Sequence, residues 1–316
     1  MALGARPKKT DASWPTLLNE GIALAKSLPD LLVEAQRIAN TVAAGWHGRR
    51  RSGPGETFWQ FRPFVSGETA HGVDWRRSAK DDHLYIREQE WEAAHTAWLW
   101  ADLSRSMNFK SHLSPVTKRE RSLVLMFSLA DLLARGGERV GVLGLSRPIS
   151  GRNAAELISE ALLHAKDASA WPQTHMVREF SEVIVMGDFL DPITDLTAWL
   201  DGLAESGARG HLVQVLDPIE EAFPFAGRTE FIDPESGMKL TAGRAESWRE
   251  QYFERMRERR ERLRLFVDRL GWTLLTHHTD RPASEPLLAL YSRLSASEPE
   301  GTGRARPRGL IGEARR

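Results

Sequence analysis

The chain has 316 residues, 43 acidic and 43 basic side chains and a formal net charge of zero, so no global field draws it toward nucleic acid or anionic lipid. It has no cysteine, which excludes disulfides, zinc fingers, iron–sulfur ligation and a cysteine nucleophile; this fits a reducing compartment, and a cytoplasmic location is expected. No run of about 18 apolar residues is present and no apolar segment follows the basic Met1–Thr10 stretch, so neither a membrane span nor a signal peptide is expected.

Met1–Ser13 reads as a loose arm. Helical spacing then runs through Leu17, Leu18, Ile22, Leu24, Ala25 and Leu28. Pro29-Asp30 restarts it with Leu31, Leu32, Ala35, Ile38, Ala39 and Val42 on one face, which predicts a packing helix pair. Trp46–Lys80 is rich in Gly, Arg and aromatic residues and has no clear period. Arg49, Arg50 and Arg51 beside Trp59, Phe61 and Trp75 form a pattern that single-stranded nucleic acid uses. Guanidinium stacking inside a protein accounts for it more simply, with Glu56, Glu68 and Asp74 as partners, so nucleic acid is not the expected ligand. Arg62, Asp74 and Trp75 are taken from this segment as candidate partner-binding residues.

Leu84–Glu90 and Thr96–Asp102 read as strands and are expected to pair antiparallel at one side of a sheet. A helix is predicted over Arg119–Arg135, ended by Gly136-Gly137. A strand follows over Arg139–Leu145, then a helix from Ala154 to Ala165, a strand over Glu182–Asp188 and a helix over Thr194–Ser206. His211–Asp217 is a further buried strand, and Phe223–Leu240 is a loop or hairpin. The charge-laced Arg244–Leu270 helix carries an apolar stripe, Trp272–Thr276 is the last strand, and Glu285–Leu294 closes the fold. This alternation predicts an α/β protein with a mostly parallel sheet and helices on both faces. The organisation is read as an N-terminal arm and helices (1–45), a Gly/Arg/aromatic segment (46–92), an α/β domain (93–296) and a disordered tail (297–316).

The chemistry concentrates at the ends of two strands. Trp98–Met107 starts apolar and turns polar at Asp102, with Ser104 and Ser106 at the next alternate positions. Glu182–Asp191 is a buried-type strand ending in Asp188. Ligands of open α/β sheets bind at the carboxyl ends of strands. A carboxylate with two hydroxyls offers only oxygen, which suits a hard cation such as Mg²⁺. The same serines also make ordinary helix caps.

Asp102-x-Ser104-x-Ser106 with Asp188 resembles the metal-ion-dependent adhesion site of von Willebrand factor A-type domains. The preceding motifs narrow the resemblance: Gly53-Pro-Gly55 followed by Phe58 and Arg62, Val73-Asp74-Trp75 with Ser78-Ala79, and Ile86-Arg87-Glu88. Leu216-Asp217-Pro218-x-Glu220, Phe223-Pro224 and Phe231-x-Asp233 continue it downstream. Together they are similar to the bacterial domain-of-unknown-function family 58, over Gly45–Leu294. One departure is Thr57, which separates Glu56 from Phe58. The resemblance implies a von Willebrand A-like, Rossmannoid fold. It implies Mg²⁺ or another divalent cation on Asp102, Ser104, Ser106 and Asp188, and a MoxR-type AAA+ ATPase as partner. Such sites also draw a threonine from the loop before the third helix; here Ile149–Asn153 has none, and Ser150 is the candidate substitute.

Three functions are compatible with these residues. One is a non-catalytic, metal-dependent protein-interaction module acting as an adaptor. Another is a metal-dependent phosphoesterase or nuclease using Asp102 and Asp188, with Asp191 nearby. The third is a metal-free scaffold. The chain lacks a Gly-x-Ser-x-Gly elbow and a Gly-x-x-x-x-Gly-Lys-Ser/Thr loop, so neither serine-hydrolase nor P-loop chemistry is expected.

Overall fold

The structure, a computed structural model, describes residues 14–46, 58–64, 73–80, 83–89, 95–163 and 171–296. The arm over 1–13 and the tail over 297–316 lie outside the described residues, as does much of the Gly/Arg/aromatic segment. In chain order the elements are α1 (Trp14–Trp46), β1 (Phe58–Pro63), α2 (Trp75–Ser78), β2 (Tyr85–Gln89), β3 (Thr96–Ala101) and α3 (Lys118–Arg135). β4 (Arg139–Val142), α4 (Ala154–Leu163), β5 (Glu182–Gly187), α5 (Ile193–Ala204), β6 (Arg209–Leu216) and α6 (Pro218–Ala222) follow. The last are β7 (Thr229–Ile232), β8 (Lys239–Ala242), α7 (Arg249–Arg269), β9 (Thr273–His278) and α8 (Ser284–Ala296).

Five strands form one parallel sheet in the order β4-β3-β5-β6-β9. The architecture is therefore α/β, with a parallel sheet flanked by helices. Alternation along β3 shows the two faces. Ala97, Leu99 and Ala101 join a core with side chains of α1, α3, α4 and α8. Trp98 and Trp100 join the opposite core with side chains of α5 and α7. A strand buried on both sides needs a near-continuous apolar run, and β3 has one over Ala97–Ala101 and β5 over Val183–Met186.

Two expectations are corrected here. β2 does not pair with β3; it pairs antiparallel with β1 in a separate two-stranded sheet. The reason lies in β3, whose edges are both taken by parallel neighbours with apolar runs of their own. The N-terminal helix pair is instead the single helix α1, with Pro29 inside it. Proline in a helix interior costs about 3 kcal/mol. Leu28, Leu31, Ala35, Ile38, Ala39 and Val42 are all buried in the core. Burying large aliphatic side chains contributes roughly 1.5–3 kcal/mol each, so packing outweighs the proline. Ser128 of α3 ties the helices by donating to the Ala35 carbonyl at 3.1 Å.

Gly210 on β6 shows how tightly the second face is packed. A Cβ there would stand 1.9 Å from the Trp272 ring. Only glycine leaves room for that indole.

Candidate functional site at the carboxyl edge of the sheet

The strand order reverses beside β3. The chain leaves β3 for β4 on one side and returns to β5 on the other. Crevices form at such a reversal, outside the carboxyl ends of the strands. Asp102 follows β3 and Asp188 follows β5, so both acids stand at this crevice. The ladder extends one step past β3, with the Asp102 amide donating to the Met186 carbonyl at 2.8 Å. Gly187 makes the close approach possible: a Cβ there would lie 3.1 Å from the Asp102 Cβ.

Hydrogen bonds join the four predicted residues into one cluster. The Asp102 Oδ1 accepts from the Ser104 amide at 2.8 Å. The Ser104 and Ser106 hydroxyl oxygens are 3.1 Å apart. Ser106 donates its hydroxyl to Asp188 Oδ2 at 3.0 Å. Phe189 adopts a left-handed φ of 53° and turns the chain so that the Leu190 amide donates to Asp188 Oδ1 at 3.0 Å. Arg259 of α7 holds this turn by donating to the Phe189 carbonyl. Left-handed backbone at a bulky residue persists where surrounding contacts enforce it.

Charge at the cluster is unevenly matched. Burial, reinforced by Asp188, pushes the Asp102 pKa up to about 7. Asp188 has a cationic partner that sequence reasoning missed, Lys118. Its ammonium is 2.9 Å from Asp188 Oδ2 and 2.7 Å from Glu220 Oε1, with the side chain 1% exposed. Burial alone would lower the lysine pKa, but Asp188 and Glu220 outweigh it and hold the ammonium charged. Lys118 is the first residue of α3, after a Thr117/Glu120 capping box. A helix N-terminus repels a cation, so the two carboxylates keep the lysine there. The capping box, Thr-x-x-Glu, was visible in the sequence and would have placed Lys118 at this edge; its partners, 70 and 102 residues away, were not.

The third strand contributes scaffolding. Asp217, after β6, accepts from the Ser111 amide at 2.8 Å and from its hydroxyl at 2.5 Å, and caps α6 through the Ile219 amide. It thereby pins the segment between Ser106 and α3.

A cavity of about 510 Å³ opens from the cluster. Its floor is Ser104, Ser106, Lys118, Asp188 and Glu220, and its far wall is the β7–β8 hairpin with the first turn of α7. Phe223, Phe225, Phe231, Trp248 and Tyr252 pack along that wall at centroid distances of 4.6–6.0 Å, Phe225 edge-on to Phe223 and Phe231. Glu235, at the hairpin tip, accepts from the Ser106 amide at 2.9 Å. Phe223 and Phe231 stood in family-like motifs, but neither Glu235 nor the meeting of the rings in one wall was picked out from sequence, because Phe223–Leu240 carries no strong period.

Other candidates stand apart. Ser150 is not brought to the cluster. Ile149 bridges to Val140, which is in register with Ala97; that level is about 16 Å down β3 from Asp102. The loop folds back along the outer edge of β4, because Val140 and Ile149 exchange both backbone hydrogen bonds. Asp74 caps α2, accepting from the Arg77 amide at 2.9 Å. Trp75 is 63% exposed, and Arg62 lies on β1 opposite Ile86. Among the described residues, no group of three or more His, Asp or Glu side chains is arranged to hold a metal ion, and no helix is long and apolar enough to cross a membrane.

Comparisons with known proteins give no activity. Uncharacterized proteins of Mycobacterium bovis and Mycobacterium tuberculosis are each 23% identical over 277 residues, spanning 82% of this chain and 86% of the relative. A conserved hypothetical protein BatB from Bacteroides thetaiotaomicron aligns at 14% identity with a TM-score of 0.38, covering 65% of this chain and 100% of that one. An aerotolerance-related membrane protein from Bacteroides fragilis aligns at 15% identity with a TM-score of 0.37, covering 64% and 100%. Residues 60–262 match the family described as protein of unknown function DUF58. The chain therefore belongs to the DUF58 family.

Proposed function

We propose that this chain is a non-catalytic protein-interaction module of von Willebrand factor A-like architecture. Its capture surface is the carboxyl edge of β3 and β5. The observation that carries this reading is the meeting of Asp102, Ser104, Ser106 and Asp188 at the reversal of strand order, beside an open cavity.

The same four residues offer the all-oxygen donor set that suits a small hard divalent cation, and Mg²⁺ is the ion we propose. Adjacent ligands around octahedral Mg²⁺ stand about 2.9 Å apart, given bonds of about 2.0–2.1 Å. The Ser104–Ser106 and Ser106–Asp188 oxygen separations are 3.1 and 3.0 Å. The raised Asp102 pKa marks a place where negative charge lacks a counter-charge. Bound there, the cation would supply a Lewis-acidic position for a carboxylate of the partner. Lys118 already neutralises part of Asp188, so it weakens the cation's hold without removing it. A MoxR-type AAA+ ATPase is the partner we propose, on the strength of the family resemblance.

The chemistry of Lys118 and Ser106 argues against a serine-nucleophile route for the phosphoesterase reading. A serine nucleophile needs a neutral base that accepts its proton. Here the serine hydroxyl and the lysine ammonium both donate to the same Asp188 oxygen, and Lys118 is held protonated. Calorimetric titration of Mg²⁺, with and without a MoxR-type AAA+ ATPase, tests the proposal. It predicts one saturable site, tightened by the partner. Phosphoesterase turnover abolished by Asp102→Asn would replace it with the enzymatic reading.

A further inference from the structure

We infer that the cavity between the strand edge and the β7–β8 hairpin is a docking pocket for a basic peptide segment, one that presents an arginine or lysine beside an apolar residue. The inference rests on the reading of this edge as a capture surface, and it adds a second contact, at the cavity rim, beside the partner carboxylate proposed for the cation.

Three large apolar side chains stand exposed around the mouth, each from a different element. Phe109, after the turn that follows β3, is 40% exposed; Leu190, after β5, is 38%; Leu240, on β8, is 59%. Scattered apolar residues on a surface need no explanation, but several gathered at one cavity mark a binding site. The volume, about 510 Å³, falls within the range of roughly 300–1,000 Å³ typical of ligand pockets.

Charge selects the occupant. Five carboxylates, those of Asp188, Asp191, Glu220, Asp233 and Glu235, line the cavity against two cations, Lys118 and Arg255, with Arg259 near Asp191. Asp233 is held ionised, its pKa lowered by the Ser236 hydroxyl and by the amides of Glu235 and Ser236. Deeper in, Lys118 is spent on Asp188 and Glu220 and offers little to an incoming anion. The aromatic wall behind the rim adds ring faces that attract cations. An acidic or neutral segment gains nothing from this rim. A guanidinium or ammonium with an apolar neighbour meets both the carboxylates and the rings. The hairpin fixes the rim firmly, since Glu235 is tied to the Ser106 amide and Asp233 caps its own turn.

The test uses fluorescence anisotropy with the full chain and two labelled hexapeptides, one alternating leucine with arginine and one alternating leucine with glutamate. The arginine peptide is expected to bind saturably and the glutamate peptide not to bind. A triple variant, Asp191→Asn with Asp233→Asn and Glu235→Gln, keeps the hydrogen-bond acceptors while removing the charge. It should weaken binding roughly tenfold, at about half a kcal/mol per exposed charge. Leu240→Ser, on an exposed position, should weaken it as well. Leu265→Ser, at an exposed α7 position outside the cavity, should leave peptide binding unchanged; all peptide binding is read in EDTA, so that partner capture in Mg²⁺ tests the metal reading separately. Equal binding of both peptides, or full affinity in the triple variant, would overturn the inference. So would benzyltrimethylammonium displacing the arginine peptide at equal affinity, which would make the pocket a small-cation site, or anisotropy that tracks self-association of the chain.

Discussion

Replacing Asp102 by asparagine should stabilise the metal-free protein, and by an amount that grows with pH. The Asp102 carboxyl is 6% exposed, and burial with Asp188 raises its pKa from 3.8 to about 7. The folded state therefore holds this proton more tightly than the unfolded state does. Between pH about 4 and 7 the folded state binds more protons, so stability falls as pH rises across that window. Below it the residue imposes no penalty; above it the penalty is complete, at ~4 kcal/mol. Asparagine retains an Oδ1 that can accept from the Ser104 amide, so the local turn survives. Urea unfolding followed by circular dichroism in EDTA, at pH 4 to 8, gives both stabilities. The difference between variant and wild type should be small at pH 4 and reach several kcal/mol at pH 8. Saturating Mg²⁺ at about a hundred times its Kd should return ~2.7 kcal/mol to the wild type and little to the variant. Parallel pH profiles for the two proteins would refute the reasoning.

Lys118→Met should destabilise the fold by about 3 kcal/mol or more at pH 7, because it leaves Asp188 and Glu220 buried without their cation; the same unfolding assay should show the loss shrinking toward pH 4. In that variant Mg²⁺ should bind more tightly by calorimetry, since the competing ammonium is gone. Gly210→Ala should lower stability by about 1–3 kcal/mol, since the new methyl meets the Trp272 ring; an unchanged thermal midpoint would show that the indole has room to move.

The parallel sheet was legible because β3 and β5 are apolar at nearly every position, a pattern that suits a strand covered on both faces, and β6 carries Leu212, Val213, Val215 and Leu216. The oxygen cluster was legible for a related reason. Asp102 and Asp188 each end an apolar run, and two such strands side by side bring their ends together. What escaped the sequence was set by distant partners. Nothing around Pro29 shows that α3 and α8 will hold α1 continuous. Nothing around Lys118 reveals Asp188 and Glu220. Tyr85–Gln89 alternates too weakly to show whether its neighbour is β1 or β3, and only the apolar edges of β4 and β5 decide it. The cavity wall escaped because its rings come from the segment after α6, from β7 and from the start of α7, and meet only in three dimensions.

The most direct test of the interaction module is partner capture by surface-immobilised protein, read in Mg²⁺ and in EDTA, with the wild type and Asp102→Asn side by side. The account predicts that a MoxR-type AAA+ ATPase binds the wild type in Mg²⁺, that EDTA releases it, and that Asp102→Asn binds weakly in both buffers while remaining folded. Full capture by the wild type in EDTA and by the variant in Mg²⁺ would contradict it.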